Sequence, residues 1–243
     1  MTTETAPAPP CMLFAAGRGT RLRPLTDQTP KPLLQIGGRA LLDRQLDQLG
    51  AAGVTQVVVN ASHLGEQVGA HLEARTSHSP RVALSREDQP LETGGGLLAA
   101  RSHFRTSFVW LLNGDIAAEL PLAEFPRSLP PQDDLHLLLV PTPEHREQGD
   151  FNYADGRVTG RGNDYVYGCL ALLRLSAFDR YVAEQRTLGA FADPPAFSLQ
   201  GLLFDRVAAG RVGATLFPGP WFDIGSAAQL EAADVWARSS ASA

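Results

Sequence analysis

The chain has 243 residues, 44% hydrophobic and 19% charged, a globular composition long enough for one well-buried core. Twenty-one Lys and Arg against 26 Asp and Glu leave a net charge of -5, which argues against a general nucleic-acid binder, because that role needs a basic face. Two cysteines are too few for a disulfide framework, and no run reaches the roughly 18 apolar residues of a membrane helix, so reduced thiols in a cytoplasmic setting are expected.

Residues 1–10, MTTETAPAPP, lack the basic and apolar regions of a signal peptide, and their prolines and small side chains predict a disordered leader. A short apolar run, Met12 to Ala15, then opens into Gly17-Arg18-Gly19-Thr20-Arg21, followed by Pro30-Lys31-Pro32 with the chain's only lysine. This reads as a strand feeding a phosphate-binding loop. Two glycines let backbone N–H groups approach an anion, the next residues can begin a helix whose N-terminus favours negative charge, and Arg21 and Arg23 add cationic forks. A Walker loop does not fit, since Arg21 and Leu22 follow the second glycine and its threonine. A dinucleotide fingerprint does not fit either, since Leu22 stands where its third glycine belongs. An ordinary glycine turn would explain Gly17 and Gly19 but not three arginines and a proline-flanked lysine in one segment. The chemistry therefore involves a polyphosphate.

Strand and helix alternate beyond this loop. Leu42, Leu46 and Leu49 lie at helical spacing within 40–51, with Gly53 as a stop. A strand at 56–60, a helix at 64–73 carrying Val68 and Leu72, and a strand at 82–85 follow. Such alternation calls for a mainly parallel sheet with helices on both faces and ligands beyond the strands' carboxyl ends. The stretch EDQPLETGGG, 87–96, reads either as a close backbone approach to something flat or as a glycine-rich turn before a helix at 97–101. Residues 108–112 form a central strand ending in Asn113-Gly114-Asp115, which puts a carboxylate at the sheet's binding edge.

LFAAGRGTRLRPLTDQTPKPLL resembles the signature of the sugar-1-phosphate nucleotidyltransferases. Gln89 to Gly96 and Leu112-Asn113-Gly114-Asp115 are most similar to the N-acetylmuramate-1-phosphate uridylyltransferases within that family. The resemblance implies a nucleotide-diphospho-sugar transferase fold: an α/β, Rossmann-like sheet with helices on both faces and a small antiparallel sugar-binding lobe. It also implies a nucleoside triphosphate, UTP, and a sugar 1-phosphate as partners. Ala16, Gly17, Gly19 and Thr20 would cradle the triphosphate, Arg21 would clamp its outer phosphates, and Lys31 would stabilise the α-phosphoryl group. Glu87, Thr93 and Gly94 fall where base contacts are expected, although a carboxylate at Glu87 suits the N3–H of uracil and the two N–H groups of guanine alike. Asp115, and Asp223 in Trp221-Phe222-Asp223-Ile224-Gly225, would hold Mg²⁺, a set that suits an octahedral ion completed by phosphate oxygens and waters; the other reading of both carboxylates is that they cap neighbouring helices.

After a strand at 136–140, Asp155-Gly156 marks a hairpin and 166–175 a long apolar strand, so that 140–175 reads as a small antiparallel lobe over the sheet's edge. By the same resemblance this lobe holds the sugar, which makes Asn113, Gly149, Asp150 and Gly168 candidate contacts; Asp150 is equally readable as a surface acid. Many relatives offer a second lysine to the sugar phosphate from this lobe. Arg161 stands as either its replacement or a solvated loop charge. A helix at 199–209, a strand at 214–217 and a helix at 227–236 complete one domain over 11–236, with a flexible tail at 237–243. The six histidines, 63, 71, 78, 103, 136 and 145, lack zinc-site spacing, and neither cysteine sits beside a plausible base.

These features predict transfer of UMP from UTP to N-acetylmuramate 1-phosphate in cell-wall sugar recycling. An alternative in the same class is a guanylyltransferase for a mannose- or heptose-type 1-phosphate. An alternative of another class is a nucleotide-sugar sensor, whose signature would be loss of Lys31, Arg21 or a metal carboxylate; all are present.

Overall fold

The computed structural model describes residues 7–77, 79–144, 146–191 and 193–240. His78 and His145 lie outside them, as do residues 1–6 of the expected leader and 241–243 of the expected tail. The elements in chain order are β1 (Cys11–Phe14), α1 (Leu25–Gln28), β2 (Gln35–Ile36), β3 (Arg39–Ala40), α2 (Leu41–Ala51), β4 (Gln56–Ala61), α3 (Gly65–Glu73), β5 (Arg81–Arg86), α4 (Glu92–Ala100) and β6 (Phe108–Asn113). There follow β7 (Ile116–Ala118), β8 (Leu135–Pro141), β9 (Phe151–Ala154), β10 (Arg157–Arg161), β11 (Tyr165–Arg174), α5 (Leu175–Thr187), α6 (Gln200–Ala208), β12 (Val212–Leu216), β13 (Trp221–Asp223) and α7 (Ala227–Ser240). No helix among the described residues is long and apolar enough to cross a membrane.

A nine-stranded sheet in the order β5-β4-β1-β6-β11-β8-β12-β10-β9 organises the chain. Its first four strands are parallel and are joined by crossovers through α2, α3 and α4. The chain leaves β1 toward β4 and β5, then crosses to β6 on the other side of β1, so the strand order reverses at the β1–β6 boundary. Ligands enter an open α/β sheet at such a boundary. Beyond β6, β11 runs antiparallel to both β6 and β8, and the β9–β10 hairpin closes that side. Asp155 and Gly156, at φ 49° and 79°, form the tight turn that their sequence announces. The antiparallel lobe is thus continuous with the sheet, because the ten-residue β11 belongs to both.

Alternation along the strands builds a core on each face. Leu13, Val57, Val59, Trp110 and Leu112 pack with Leu42, Leu46 and Leu49 of α2 and Val68 of α3. Met12, Val58, Val109 and Leu111 point the other way, onto Leu97 of α4, Phe178 of α5 and Leu202 of α6. A third cluster joins Leu22, Leu34 and Ile36 to Ile224 and to Ala233 and Ala237 of α7, so the C-terminal helix pins the segment that carries Lys31.

Four expectations change. No regular helix opens at the phosphate loop: Thr20–Leu22 and Lys31–Leu33 are 3₁₀ turns, since Pro24, Pro30 and Pro32 deny the ladder its donors. The three glycines lie inside α4, whose start is at Glu92 and not at residue 97. Of the leader, Pro9 and Pro10 are buried, and the Pro10 carbonyl accepts from the Trp110 N–H at 2.9 Å. Of the tail, 237–240 continue α7 because Ala237 is packed in the third cluster. The sequence reading also passed over α5, although Leu175, Phe178, Tyr181 and Val182 are buried at helical spacing; the apolar run of β11 enters it without a breaker.

His136 of β8 carries a testable consequence. Its ring meets Thr215 Oγ1 at 2.8 Å, and burial, with Arg157 opposing the help of Asp133, lowers its pKa to about 4 from 6.5. The unfolded chain takes up this proton near pH 6.5 and the folded chain refuses it until about pH 4. Stability is therefore lost as pH falls through that window, at up to ~1.4 kcal/mol per pH unit for one proton. Urea midpoints measured between pH 7 and 4 should drop less steeply for His136→Gln than for the parent.

Candidate functional site

The carboxyl ends of three parallel strands converge on one cavity of about 310 Å³. β1 contributes Phe14 and the following Ala15, Ala16, Gly17 and Gly19; β4 contributes Asn60; β6 contributes Asn113, Gly114 and Asp115. Lys31, Glu92 and Thr93 complete its polar wall. No acceptor among the described residues takes the backbone N–H groups of Ala16, Gly17, Arg18, Gly19 or Thr20. Five successive donors left open in a turn form an anion-binding concavity. Gly19 allows it by adopting φ 61°, with its would-be Cβ position 2.8 Å from the Thr26 methyl group, while the Thr26 hydroxyl donates to the Gly19 carbonyl.

The entry to this loop is fixed from below. The Ala15 N–H donates to Asn60 Oδ1 at 2.7 Å, and Asn60 Nδ2 donates to Glu87 Oε1 at 2.7 Å. Glu87 is only 6% exposed, and its other oxygen accepts the Leu91 N–H at 2.9 Å. Both of its oxygens are engaged within the chain, so Glu87 holds Asn60 and through it the loop, whatever contact it makes to a base. Gly96 is required beside this pair, since a Cβ there would stand 2.7 Å from Asn60 Nδ2 and 2.8 Å from Glu87 Oε1.

Gly94 likewise meets a partner within the chain. The N–H groups of Gly94 and Gly95 both donate to the Phe197 carbonyl, at 2.8 and 3.1 Å, and the Phe197 ring occupies the space a Gly94 side chain would need. The close approach read from the glycines is therefore to the 195–199 segment, and the start of α4 is capped by it. Thr93 lines the cavity while its Oγ1 accepts the Leu199 N–H at 2.9 Å.

Opposite the loop, Lys31 Nζ lies 2.7 Å from Asp115 Oδ2, with 11% of the lysine side chain exposed. The turn that presents Asp115 is held by buried Gln45 of α2, whose amide donates to the carbonyls of Asn113 and Ile116. Gly114 fits because its N–H donates to the Phe14 carbonyl at 2.8 Å, where a Cβ would collide. Asp223 comes alongside through the β7–β13 ladder, paired with Ile116, while the Ile224 N–H donates to the Asp115 carbonyl at 2.8 Å. Gln45 and Asn60 were not found from sequence; a buried amide reads there as any polar residue on an amphipathic element.

Asp115 and Asp223 fit a hard divalent cation. They are carboxylate oxygen donors on adjacent chain segments, and the charges of both bear on the Cys169 thiol. Among the described residues no group of three His, Cys, Asp or Glu is arranged to hold a metal, and a carboxylate pair is what Mg²⁺ uses when substrate phosphates and waters complete its shell. Burial first, and then Asp115, Asp223 and Asp150, push the Cys169 thiol well above its usual pKa, which disfavours its thiolate.

Other expected contacts lie further out. Thr20 and Arg21 are exposed and lie outside the lining of this cavity, and the Arg21 guanidinium sits against Gly225, where a Cβ would be 3.0 Å from Nη2. A second cavity of about 250 Å³ shares Phe14, Thr93 and Asn113 with the first and continues to Asp150 and Arg161. Asp150 Oδ2 accepts the Tyr167 N–H at 3.0 Å and pairs with Arg146 at 3.4 Å. Gly149 and Gly168 line neither cavity: Gly149 is packed on the Asn163 backbone, and Gly168 sits where β11 bulges past β8, its carbonyl accepting the Trp221 indole N–H at 3.0 Å.

The model of the nucleotidyl transferase family matches residues 11–155. An N-acetylmuramate alpha-1-phosphate uridylyltransferase of Neisseria meningitidis serogroup B is 32% identical over 93% of this chain and 97% of its own length. One of Caulobacter vibrioides is 33% identical over 88% and 90%. The solved structure of HddC from Yersinia pseudotuberculosis complexed with GMP-PN superposes with a TM-score of 0.75 at 22% identity, over 94% of this chain and 99% of that one, a likeness of fold.

Proposed function

The chain belongs to the sugar-1-phosphate nucleotidyltransferases, and from that premise we propose that it transfers UMP from UTP to N-acetylmuramate 1-phosphate, releasing pyrophosphate in cell-wall sugar recycling. The observation that carries the reading is the run of five N–H groups, Ala16 to Thr20, without an acceptor among the described residues, three of which belong to residues that line one cavity with Lys31 and Asp115. Full-length similarity to two uridylyltransferases supports the choice of substrates.

The attacking group, a phosphate oxygen of the sugar 1-phosphate, is already anionic. No strong general base is needed, and catalysis reduces to alignment and neutralisation of charge. The 16–20 backbone orients the triphosphate so that its α-phosphorus faces the boundary between the two cavities, where Phe14, Thr93 and Asn113 are shared. The sugar phosphate enters from the second cavity, in line with the departing pyrophosphate. Lys31 meets the charge that develops on the α-phosphoryl oxygens. Arg21, on its exposed turn, closes on the outer phosphates. Asp115 and Asp223 would hold Mg²⁺, which when bound supplies Lewis-acid neutralisation of the triphosphate.

Pyrophosphate release with Mg²⁺, crossing UTP, GTP, CTP, ATP and dTTP against N-acetylmuramate, N-acetylglucosamine, glucose, mannose and heptose 1-phosphates, tests the reading. A single dominant signal from UTP with N-acetylmuramate 1-phosphate is expected. A dominant GTP signal would move the chain to guanylyl transfer while leaving the phosphate and metal roles in place, and silence across the panel would favour a binding protein.

A further inference from the structure

Arg161 ends β10 at the second cavity, where its guanidinium carbon lies 4.2 Å from the centroid of the Phe204 ring on α6. Its backbone belongs to the β9–β10 ladder, but its side chain makes no hydrogen bond or ion pair with any described residue. The other arginines that β10 and β11 bring to this half of the sheet are engaged: Arg157 with Asp133 at 2.8 Å, and Arg174 with the carbonyls behind it. A planar cation laid on an aromatic face is partly shielded from water and fixed in orientation, with its N–H edge left to donate. Such an edge matches a carboxylate in two parallel hydrogen bonds.

Its place separates it from the reacting phosphates. Lys31, Asp115 and the loop residues Ala16, Gly17 and Gly19 line the first cavity, and Arg161 lines the second. The one acid in the lining, Asp150, is met by Arg146 and the Tyr167 N–H and makes no ion pair with Arg161. A sugar 1-phosphate whose phosphate sits at the shared boundary therefore extends its ring substituents toward Arg161. N-acetylmuramate differs from N-acetylglucosamine by a lactyl ether that ends in a carboxylate. We propose that Arg161, seated on Phe204, reads the substituent carboxylate of the sugar and sets selectivity for an acidic sugar 1-phosphate. This inference rests on the reading of the substrate given above.

The test compares kcat/KM for N-acetylmuramate 1-phosphate and N-acetylglucosamine 1-phosphate, at saturating concentration of the best nucleoside triphosphate, in the parent, Arg161→Gln and Arg161→Lys. The Gln variant should lose about 10- to 100-fold on the acidic sugar, the value of hydrogen bonds to a charged group. It should keep N-acetylglucosamine 1-phosphate within about 3-fold, and Lys, a point charge without the fork, should recover part of the loss. The unchanged KM for the triphosphate serves as the control for folding. If both sugars decline together, Arg161 serves the phosphate or the fold; if the parent prefers the acidic sugar and Arg161→Gln keeps that preference, this inference alone falls. If the parent prefers the neutral sugar, the substrate reading falls first and takes the inference with it.

Discussion

Lys31→Ala is expected to lower kcat by about 10²- to 10³-fold while leaving equilibrium binding of UTP within a few-fold of the parent. Removal of one preorganised donor to a developing oxyanion costs about that much in a water-poor site. Binding is retained because the open N–H groups of 16–20, not the ammonium, form most of the cradle. The fold should survive, since Asp115 is 34% exposed on its side chain and a partly hydrated ion pair contributes on the order of 1 kcal/mol or less. Lys31→Arg should recover little, because a planar fork cannot occupy the position of a compact ammonium 2.7 Å from Asp115. Pyrophosphate release and calorimetric titration check the two halves separately. The chain helps the experimenter: Lys31 is its only lysine, so amine-directed labelling followed by mass spectrometry reports this side chain without interference, apart from the α-amino group. UTP should shield it from the label. A variant with parental kcat would remove Lys31 from the reaction.

The parts of this site legible in the sequence are those whose signal is local. Gly17, Gly19 and the Pro30-Lys31-Pro32 segment announce themselves because their backbone requirements allow few residue types, and Asp115 does so because it closes an apolar strand. Contacts made by partners far along the chain were not legible. Nothing local in the sequence announces that Glu87 meets Asn60, 27 residues away, on one oxygen and the Leu91 amide on the other. The glycines 94–96 did signal close approach, as their spacing said, but what approaches them is Phe197, Pro195 and Asn60. The parallel half of the sheet followed from its apolar periodicity. The position of β11 between β6 and β8 did not, because a long apolar strand suits any central place and only pairing selects one.

Asp134→Ala should destabilise the fold by about 3 kcal/mol, the lower part of the range for breaking a buried ion pair, without lowering activity per folded molecule. The Asp134 side chain is 0% exposed. Its Oδ2 accepts from Arg211 Nε at 2.7 Å and Arg206 Nη1 at 3.3 Å, and Arg174 and Arg180 stand within 3.8 Å of Oδ1. One carboxylate thus holds together arginines from β11, α5, α6 and the start of β12. Its removal leaves four cations facing one another, and because they are partly hydrated, at 21 to 56% exposure, the lower figure applies. Activity should be spared because Arg174 is in register with Phe108, at the opposite end of β6 from Asn113. Burial alone would raise the Asp134 carboxyl, but the hydrogen bonds from Arg211 and Arg206 outweigh it and hold the pKa below its usual value. A carboxylate depressed on folding contributes stability that is complete above the unfolded pKa of about 3.9 and is lost as pH falls through the folded one. The stability difference between parent and variant should therefore be flat from neutral pH down to about 4 and shrink below it. Urea unfolding with an unchanged slope and a displaced midpoint is the expected record. A difference under about 1 kcal/mol, or one that persists undiminished at pH 3, would mean that water and not the carboxylate balances the four arginines.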